Sequence, residues 1–237
     1  MNAPSLAVAL ANLALVLFLV WAGSRAFARS MPLGARGPTR RLVFLALALG
    51  WAAGTWSLAK AGVLYAPAAN PPRFVFLMGP AVLTVLALSV TPFAARVVET
   101  TPLRTLIALQ LFRAPVEAIL WELAREGFVT ERMTFEGSNP EYLTLATLPI
   151  AWWAAGRPKL RALVLAWNLL GLATLARIVY LGLRTMPGPW QAFPEPPGNA
   201  VLLTTSFIWI PTIHVLTALA LHLLTLRALR SPSPSPN

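Results

Sequence analysis

Long apolar runs, separated by short stretches of arginine, proline and glycine, are the feature that most restricts how this chain can fold. Only 11% of its 237 residues are charged, against about 25% in ordinary soluble domains. A helix of about 20 apolar residues is long enough to cross the hydrocarbon core of a bilayer. We therefore predict an all-α integral membrane protein, a single seven-helix transmembrane domain over residues 1–230 with a disordered cytoplasmic tail at 231–237. The predicted helices are at about 4–22, 42–65, 74–97, 102–126, 141–156, 160–183 and 200–226.

The first apolar run is expected to remain as a helix rather than to be removed as a signal peptide. Residues Ala26 to Ala28 resemble a cleavage site, but the chain before the run lacks the basic region that a secretory signal carries. Arg25 and Arg29 also surround this sequence.

Loop cations predict the orientation of the helices, because cytoplasmic loops of membrane proteins are enriched in arginine and lysine. If the N-terminus lies outside, 12 loop cations are cytoplasmic and 4 are external. The cytoplasmic group is Arg25, Arg29, Arg36, Arg40, Arg41, Arg96, Arg104, Arg157, Lys159, Arg161, Arg227 and Arg230; the external group is Arg73, Arg125, Arg132 and Arg184. We expect an external N-terminus and a cytoplasmic C-terminus. A composition rich in alanine, leucine and arginine and poor in lysine favours a bacterial inner membrane.

The charge balance and the missing residue types exclude several classes of function. The net charge of +11 is explained by the basic loops, so we expect no nucleic-acid partner. The chain has no cysteine, no aspartate and two histidines, and His214 and His222 would lie about 12 Å apart on one helix, too far to share a metal. The last helix has no lysine for a retinal Schiff base, and haem on either histidine would need a second axial ligand from elsewhere. We therefore predict no metal and no cofactor.

The predicted fourth helix carries polar residues at membrane depth. Gln110, Arg113 and Glu117 follow i, i+3, i+7 spacing and share one helix face. Pro115 lies between them and leaves the carbonyl of Leu111 without its helical hydrogen bond. An ionisable group in the middle of a bilayer costs at least about 2.5–3.5 kcal/mol, so it usually faces the interior of the bundle and has a partner. This face is the predicted centre of a functional site.

Other polar residues are predicted to converge on the outer half of the bundle. The topology places Lys60 and Arg177 in the outer thirds of the second and sixth helices, and the polar segment 127–141 on the outside. Glu136 and Asn139 of that segment are expected to belong to a lid. Asn139, Pro140 and Glu141 together indicate the start of a helix. The predicted ligand-binding residues are Gln110, Arg113, Glu117, Lys60, Arg177, Glu136 and Asn139.

One geometric conflict exists within the sixth predicted helix. Asn168 and Arg177 are nine residues apart, which places them on opposite faces of a straight helix. For both to face one cavity, other contacts or a kink in the helix would be needed.

Two interpretations of the polar site stay open at this point. Arg113 and Glu117 have i, i+4 spacing, so a closed ion pair between them could simply lock helices together. Alternatively, the positive charge within the spans exceeds the negative charge, because there are three cations, Arg113, Lys60 and Arg177, and two acids, Glu117 and Glu122. This excess favours a ligand site.

The function that we predict is binding, sensing or transport of a small polar or anionic ligand, with the lipid bilayer as the other partner. Arg113 would hold the anion and Glu117 would be the buried counter-ion. A membrane-embedded enzyme that acts on a lipid or isoprenoid, with Glu117 as acid or base, is one alternative. A structural or assembly subunit is the other.

Two short motifs resemble a known family. Leu111, Phe112 and Arg113 with Glu117 form the first, and residues 133–137 with Asn139 form the second. In these motifs the chain resembles a family of bacterial multi-pass membrane proteins, for which no activity is known. The resemblance runs from about Gln110 to the last helix. It implies a multi-pass membrane fold and supports the location of the site, and it implies no reaction.

Overall fold

The computed structural model describes residues 3–30 and 37–230, and within these ranges the chain is helical, without strands. Arg36 of the first basic loop and the predicted tail at 231–237 lie outside the described residues. The α-helices are α1 (Leu6–Arg29), α2 (Gly37–Lys60), α3 (Arg73–Ser89), α4 (Pro92–Thr100), α5 (Leu103–Leu109), α6 (Arg113–Arg125), α7 (Glu141–Ala154), α8 (Arg161–Thr185) and α9 (Leu216–Arg230). A 3-10 turn, Gln110–Phe112, joins α5 directly to α6.

Several of these helices have the length and composition of membrane spans. There are 4 such helices among the described residues: α1, most of α2, α8 with the turn before it, and α9 with the turn before it. The pair α3 and α4 gives a fifth if the two are counted together across their 67° bend. The all-helical prediction is confirmed, and the apolar helices indicate a membrane protein.

The predicted third helix, at 74–97, is broken in the structure. The side chain of Thr91 accepts a hydrogen bond from the backbone N–H of Ala94 at 3.4 Å, and Pro92 occupies the first turn of α4. A threonine cap followed by proline is a typical helix start. A new helix therefore begins at Pro92, and the prediction of a continuous helix was wrong at this point.

The predicted seventh helix, at 200–226, begins later than expected. Residues Ala200–Leu203 form a 3-10 turn, and the continuous helical segment begins with a π-helical turn, Ile210–Val215. Pro211 lies in this π-helical turn. Proline has no N–H and its ring collides with the carbonyl group four residues earlier in an α-helix. Pro211 lies in the first turn of this segment, where a backbone N–H is not needed, so the proline is tolerated there and α9 follows.

Contacts at the helix ends show that α1 and α6 are antiparallel, and that α8 and α9 are antiparallel. The backbone N–H of Ser5, before α1, donates to the carboxylate of Glu126, after α6, at 2.9 Å. Similarly, Arg161 at the start of α8 donates to the carbonyls of Ala228 and Leu229 near the end of α9, at 3.0 and 2.6 Å. The largest buried apolar cluster joins α1, α6, α8 and α9.

Close packing of α8 against α9 depends on Gly171. A Cβ atom at this position would lie 2.2 Å from Cε1 of His222, whose side chain is fully buried. Only a glycine allows the imidazole to come so near to the backbone of α8.

Gly171→Ala is expected to lower the free energy of unfolding by about 1–3 kcal/mol, because the added methyl group overpacks the contact with His222. Gly54→Ala is the matched control, since a Cβ atom at this helical glycine meets nothing within 4 Å. The control is expected to be neutral or to stabilise α2 by up to about 1 kcal/mol. Thermal unfolding in detergent measures both effects, and equal behaviour of the two variants would contradict the packing argument.

Candidate functional site

Arg113 lies at the centre of a buried polar network. It is the first residue of α6, and its partner is Glu141, the first residue of α7. Nε of Arg113 donates to Oε2 of Glu141 at 2.5 Å, and Nη2 contacts the same oxygen. The two side chains are only 4% and 5% exposed. The ion pair that the sequence suggested between Arg113 and Glu117 is thus replaced by one between Arg113 and Glu141.

The other N–H groups of Arg113 fix the protonation of a histidine. Nη1 of Arg113 lies 2.9 Å from Nε2 of His222. A guanidinium can only donate, so Nε2 accepts, and His222 is a neutral imidazole with its hydrogen on Nδ1. Nδ1 lies 2.8 Å from Oδ1 of Asn168, and Nδ2 of Asn168 donates to the carbonyl of His222 at 3.2 Å. Every polar atom of this Arg–His–Asn chain therefore has a consistent role.

Hydroxyl groups complete the contact between α7 and α8. Nη2 of Arg113 donates to Thr174 at 3.3 Å, and the hydroxyls of Thr144 and Thr174 lie 2.9 Å apart. The indole N–H of Trp167 donates to the carbonyl of Thr144 at 3.0 Å. The network consequently joins four helices, α6 to α9, in the interior of the protein.

Asn139 connects Glu117 to this network. Its Nδ2 donates to both carboxylate oxygens of Glu117, at 2.9 and 2.8 Å, and to the carbonyl of Met133 at 3.2 Å. Its Oδ1 accepts the backbone N–H of Glu141 at 3.1 Å. The two backbone contacts fix the orientation of the amide, so both oxygens of Glu117 act as acceptors.

The predicted helix start at this place is confirmed, because α7 begins at Glu141.

An apolar cavity of about 560 Å³ lies beside the network. It is lined mainly by α3, α6, α8 and the π-helical turn, and Met186 and Trp190 from the loop after α8 also line it. Its wall contains few polar side chains. These are Arg113, Glu117, Glu141, Asn199 and His214.

Four polar atoms of side chains in this wall have no hydrogen-bond partner among the described residues. They are Oε1 of Glu141, Oδ1 of Asn199 and both ring nitrogens of His214. The side chains of His214 and Glu141 are buried, since His214 is 2% exposed and Glu141 is 4% exposed. Buried polar groups in native proteins nearly always have a partner. Unpartnered atoms on a cavity wall indicate groups that can bind a ligand.

The structure brings together three of the predicted site residues, Arg113, Glu117 and Asn139. Gln110 is buried on the 3-10 turn before α6, but it donates to the carbonyl of Ala218 at 3.3 Å and does not line the cavity. Glu136 is exposed in the loop between α6 and α7.

The expected convergence of three cations does not occur. Lys60 is exposed at the end of α2, and its ammonium lies 5.0 Å from the ring centre of Trp56. Arg177 is exposed on α8, 5.3 Å from the ring centre of Tyr180. Asn168 of the same helix is completely buried. The nine-residue separation therefore puts Asn168 and Arg177 on opposite faces, as the sequence geometry predicts.

Two loops meet beside the cavity. The guanidinium of Arg132 forms an ion pair with the carboxylate of Glu195 and lies 4.4 Å from the ring centre of Phe193. Hydrogen bonds from Arg132 hold the pKa of Glu195 below its usual value. The backbone N–H of Thr130 also donates to the carbonyl of Gly198 at 2.9 Å. The contact between the loops is thus carried by Arg132 and Glu195, whereas the predicted lid residue Glu136 is exposed in the same loop.

Sequence analysis missed Glu141, Thr174, His222 and His214 as site residues. Spacing along α8 did not single out Thr174, because Thr174 lies only about 60° round the helix from the exposed Arg177 at about 100° per residue. No local signal connects Arg113 with His222, which is 109 residues away in the sequence.

Comparison with known proteins yields no relative from which a function could be transferred. The chain matches no protein-family model and no curated protein, and its fold matches no solved structure. Among the described residues, no group of three His, Cys, Asp or Glu side chains is arranged to hold a metal ion.

Glu141→Gln is expected to lower the free energy of unfolding by about 3–5 kcal/mol, because it leaves the buried charge of Arg113 without its counter-ion. Glu117→Gln is the same chemical change beside a neutral partner. The glutamine oxygen can still accept from Asn139, so a loss of about 1 kcal/mol is expected. Denaturant or thermal unfolding in bicelles compares the two variants. A larger loss for Glu117→Gln would identify Glu117 as the counter-ion of Arg113.

Proposed function

We propose that this protein binds a small amphiphilic molecule, apolar over most of its surface, in the cavity between α3, α6, α8 and the π-helical turn. The observation that carries the proposal is the cavity of about 560 Å³, whose wall is mostly apolar and includes unpartnered polar atoms of Glu141 and His214. Ligand sites typically have volumes of about 300–1,000 Å³ and combine apolar walls with a few convergent polar groups.

The geometry favours a lipid-like ligand over the small anion that the sequence suggested. Arg113 is the only cation on the described cavity wall, and its charge is already balanced by Glu141. Lys60 and Arg177, the other proposed anion-binding residues, are exposed elsewhere. A free anion in the cavity would therefore contact carboxylates and apolar side chains, and no cation that lacks a counter-ion.

The proposal includes seven membrane-spanning segments in a bacterial inner membrane, with the N-terminus outside. The α3–α4 pair, the α5–α6 segment and α7 are counted as spans beside the four long apolar helices. The hydrogen bonds between Ser5 and Glu126 at one end, and between Arg161 and Leu229 at the other, support alternating directions.

Single cysteines can test this topology, since the chain has none of its own. Glu136 and Lys159 are both exposed, in the loops before and after α7. Glu136→Cys is expected to react with a membrane-impermeant thiol reagent in intact cells, and Lys159→Cys only after permeabilisation. The opposite pattern would reverse the orientation, and labelling of both in intact cells would contradict α7 as a span.

Filling the cavity is expected to abolish ligand binding. A Cβ atom at Gly182 would lie 3.8 Å from Met133 and 3.9 Å from Asn199, which both line the cavity, so Gly182→Phe projects a ring among the lining residues. Gly54→Phe is the matched control, because Gly54 is a helical glycine that does not line the cavity.

Native mass spectrometry of gently extracted protein measures the effect. A bound mass is expected in the wild type and in Gly54→Phe, and its loss is expected in folded Gly182→Phe. Retention of the same mass by folded Gly182→Phe would place the ligand elsewhere. A wild type without any bound mass and without affinity for added amphiphiles would contradict the proposed function.

A further inference from the structure

The wall of the cavity contains more negative than positive charge. Its charged side chains among the described residues are Arg113, Glu117 and Glu141. Arg113 and Glu141 neutralise each other, and His222 is neutral because its Nε2 accepts from Arg113. Glu117 has only the uncharged amide of Asn139 as a hydrogen-bond partner. The arrangement thus has one carboxylate more than it has cations.

Hydrogen-bond acceptors are also in excess. The donors of Arg113 are directed to Glu141, His222 and Thr174, and the amide of Asn139 is directed to Glu117 and Met133. No donor among the described residues reaches Oε1 of Glu141. This carboxylate is 4% exposed and lines the cavity. A donor group of a ligand beside this carboxylate would supply the partner that Oε1 lacks among the described residues.

An independent observation on another helix also indicates a polar ligand group. His214 is placed on the cavity wall by the π-helical turn, and neither of its ring nitrogens has a partner among the described residues. Single π-helical turns occur frequently at functional sites. A neutral imidazole offers one donor and one acceptor, so His214 can hydrogen-bond to a polar group of a ligand.

We infer that the head group of the ligand is a protonated amine, which donates hydrogen bonds to Oε1 of Glu141 and to the carboxylate of Glu117. An ammonium group has three donors and no acceptor, which matches both the excess of acceptors and the missing positive charge. In an apolar surrounding of low dielectric constant, the attraction between ammonium and carboxylate is stronger than in water. The apolar walls take the hydrocarbon part. This inference rests on the proposed function and specifies its ligand class.

The test compares three amphiphiles that share one straight chain and differ in their head group: dodecylamine, dodecanol and dodecanoate. Each is titrated onto the full-length protein in a non-ionic detergent, and the bound fraction is read by native mass spectrometry. The amine is expected to bind at least about tenfold more tightly than the carboxylate, the factor that corresponds to one charge-assisted hydrogen bond. This comparison needs only the wild type, so it does not depend on the folding of a variant.

Two variants then test whether Glu117 is responsible for the preference for the amine. Glu117→Gln is expected to weaken binding of dodecylamine about tenfold and to leave binding of dodecanol unchanged. Glu136→Gln is the matched control, since it is the same change at an exposed glutamate outside the cavity, and it should leave both affinities unchanged.

The outcomes separate the two proposals. Equal binding of the three compounds, or a preference for dodecanoate, would overturn the amine head group while the cavity remains a binding site. The amine head group would also be overturned if Glu117→Gln and Glu136→Gln reduced the preference for the amine equally. The preference would then depend on the overall charge of the protein. If none of the three compounds binds and no native ligand is found, the proposed function itself fails.

Discussion

The buried ion pair between Arg113 and Glu141 is the interaction on which the interior of this protein depends. A guanidinium inside an apolar bundle is tolerated only if a counter-ion and further acceptors surround it. Glu141 supplies the charge, and His222 and Thr174 accept further N–H groups of Arg113. Because these partners belong to α7, α8 and α9, a single charged residue of α6 fixes the relative positions of four helices.

The same requirement explains why polar groups lie beside the apolar cavity. The network satisfies Arg113 but leaves one oxygen of Glu141 without a donor, and Glu117 has only the amide of Asn139. The π-helical turn that contains Pro211 also places His214 on the cavity wall. Polar groups with spare hydrogen-bonding capacity therefore border an otherwise apolar space. This combination fits an amphiphile better than a small ion.

Local sequence patterns predicted several parts of this arrangement. The spacing of Gln110, Arg113 and Glu117 identified the polar face of the fourth segment. Asn139 with Glu141 indicated the start of α7, where Asn139 caps the backbone as such motifs do. These features depend on residues within a few positions of one another, and for such distances helix geometry and capping rules give the contacts directly.

The sequence by itself determined the class of protein, an all-helical chain with apolar helices, and the placement of Asn168 and Arg177 on opposite faces of α8. Tertiary structure alone decided which acid neutralises Arg113. Glu117 is four residues away on the same helix, yet Glu141, 28 residues away, forms the pair. Tertiary structure also decided that Lys60 and Arg177 are exposed. The physical reason is that spacing along one helix fixes only neighbours on that helix, whereas a guanidinium is satisfied by groups that the packing of other helices brings to it.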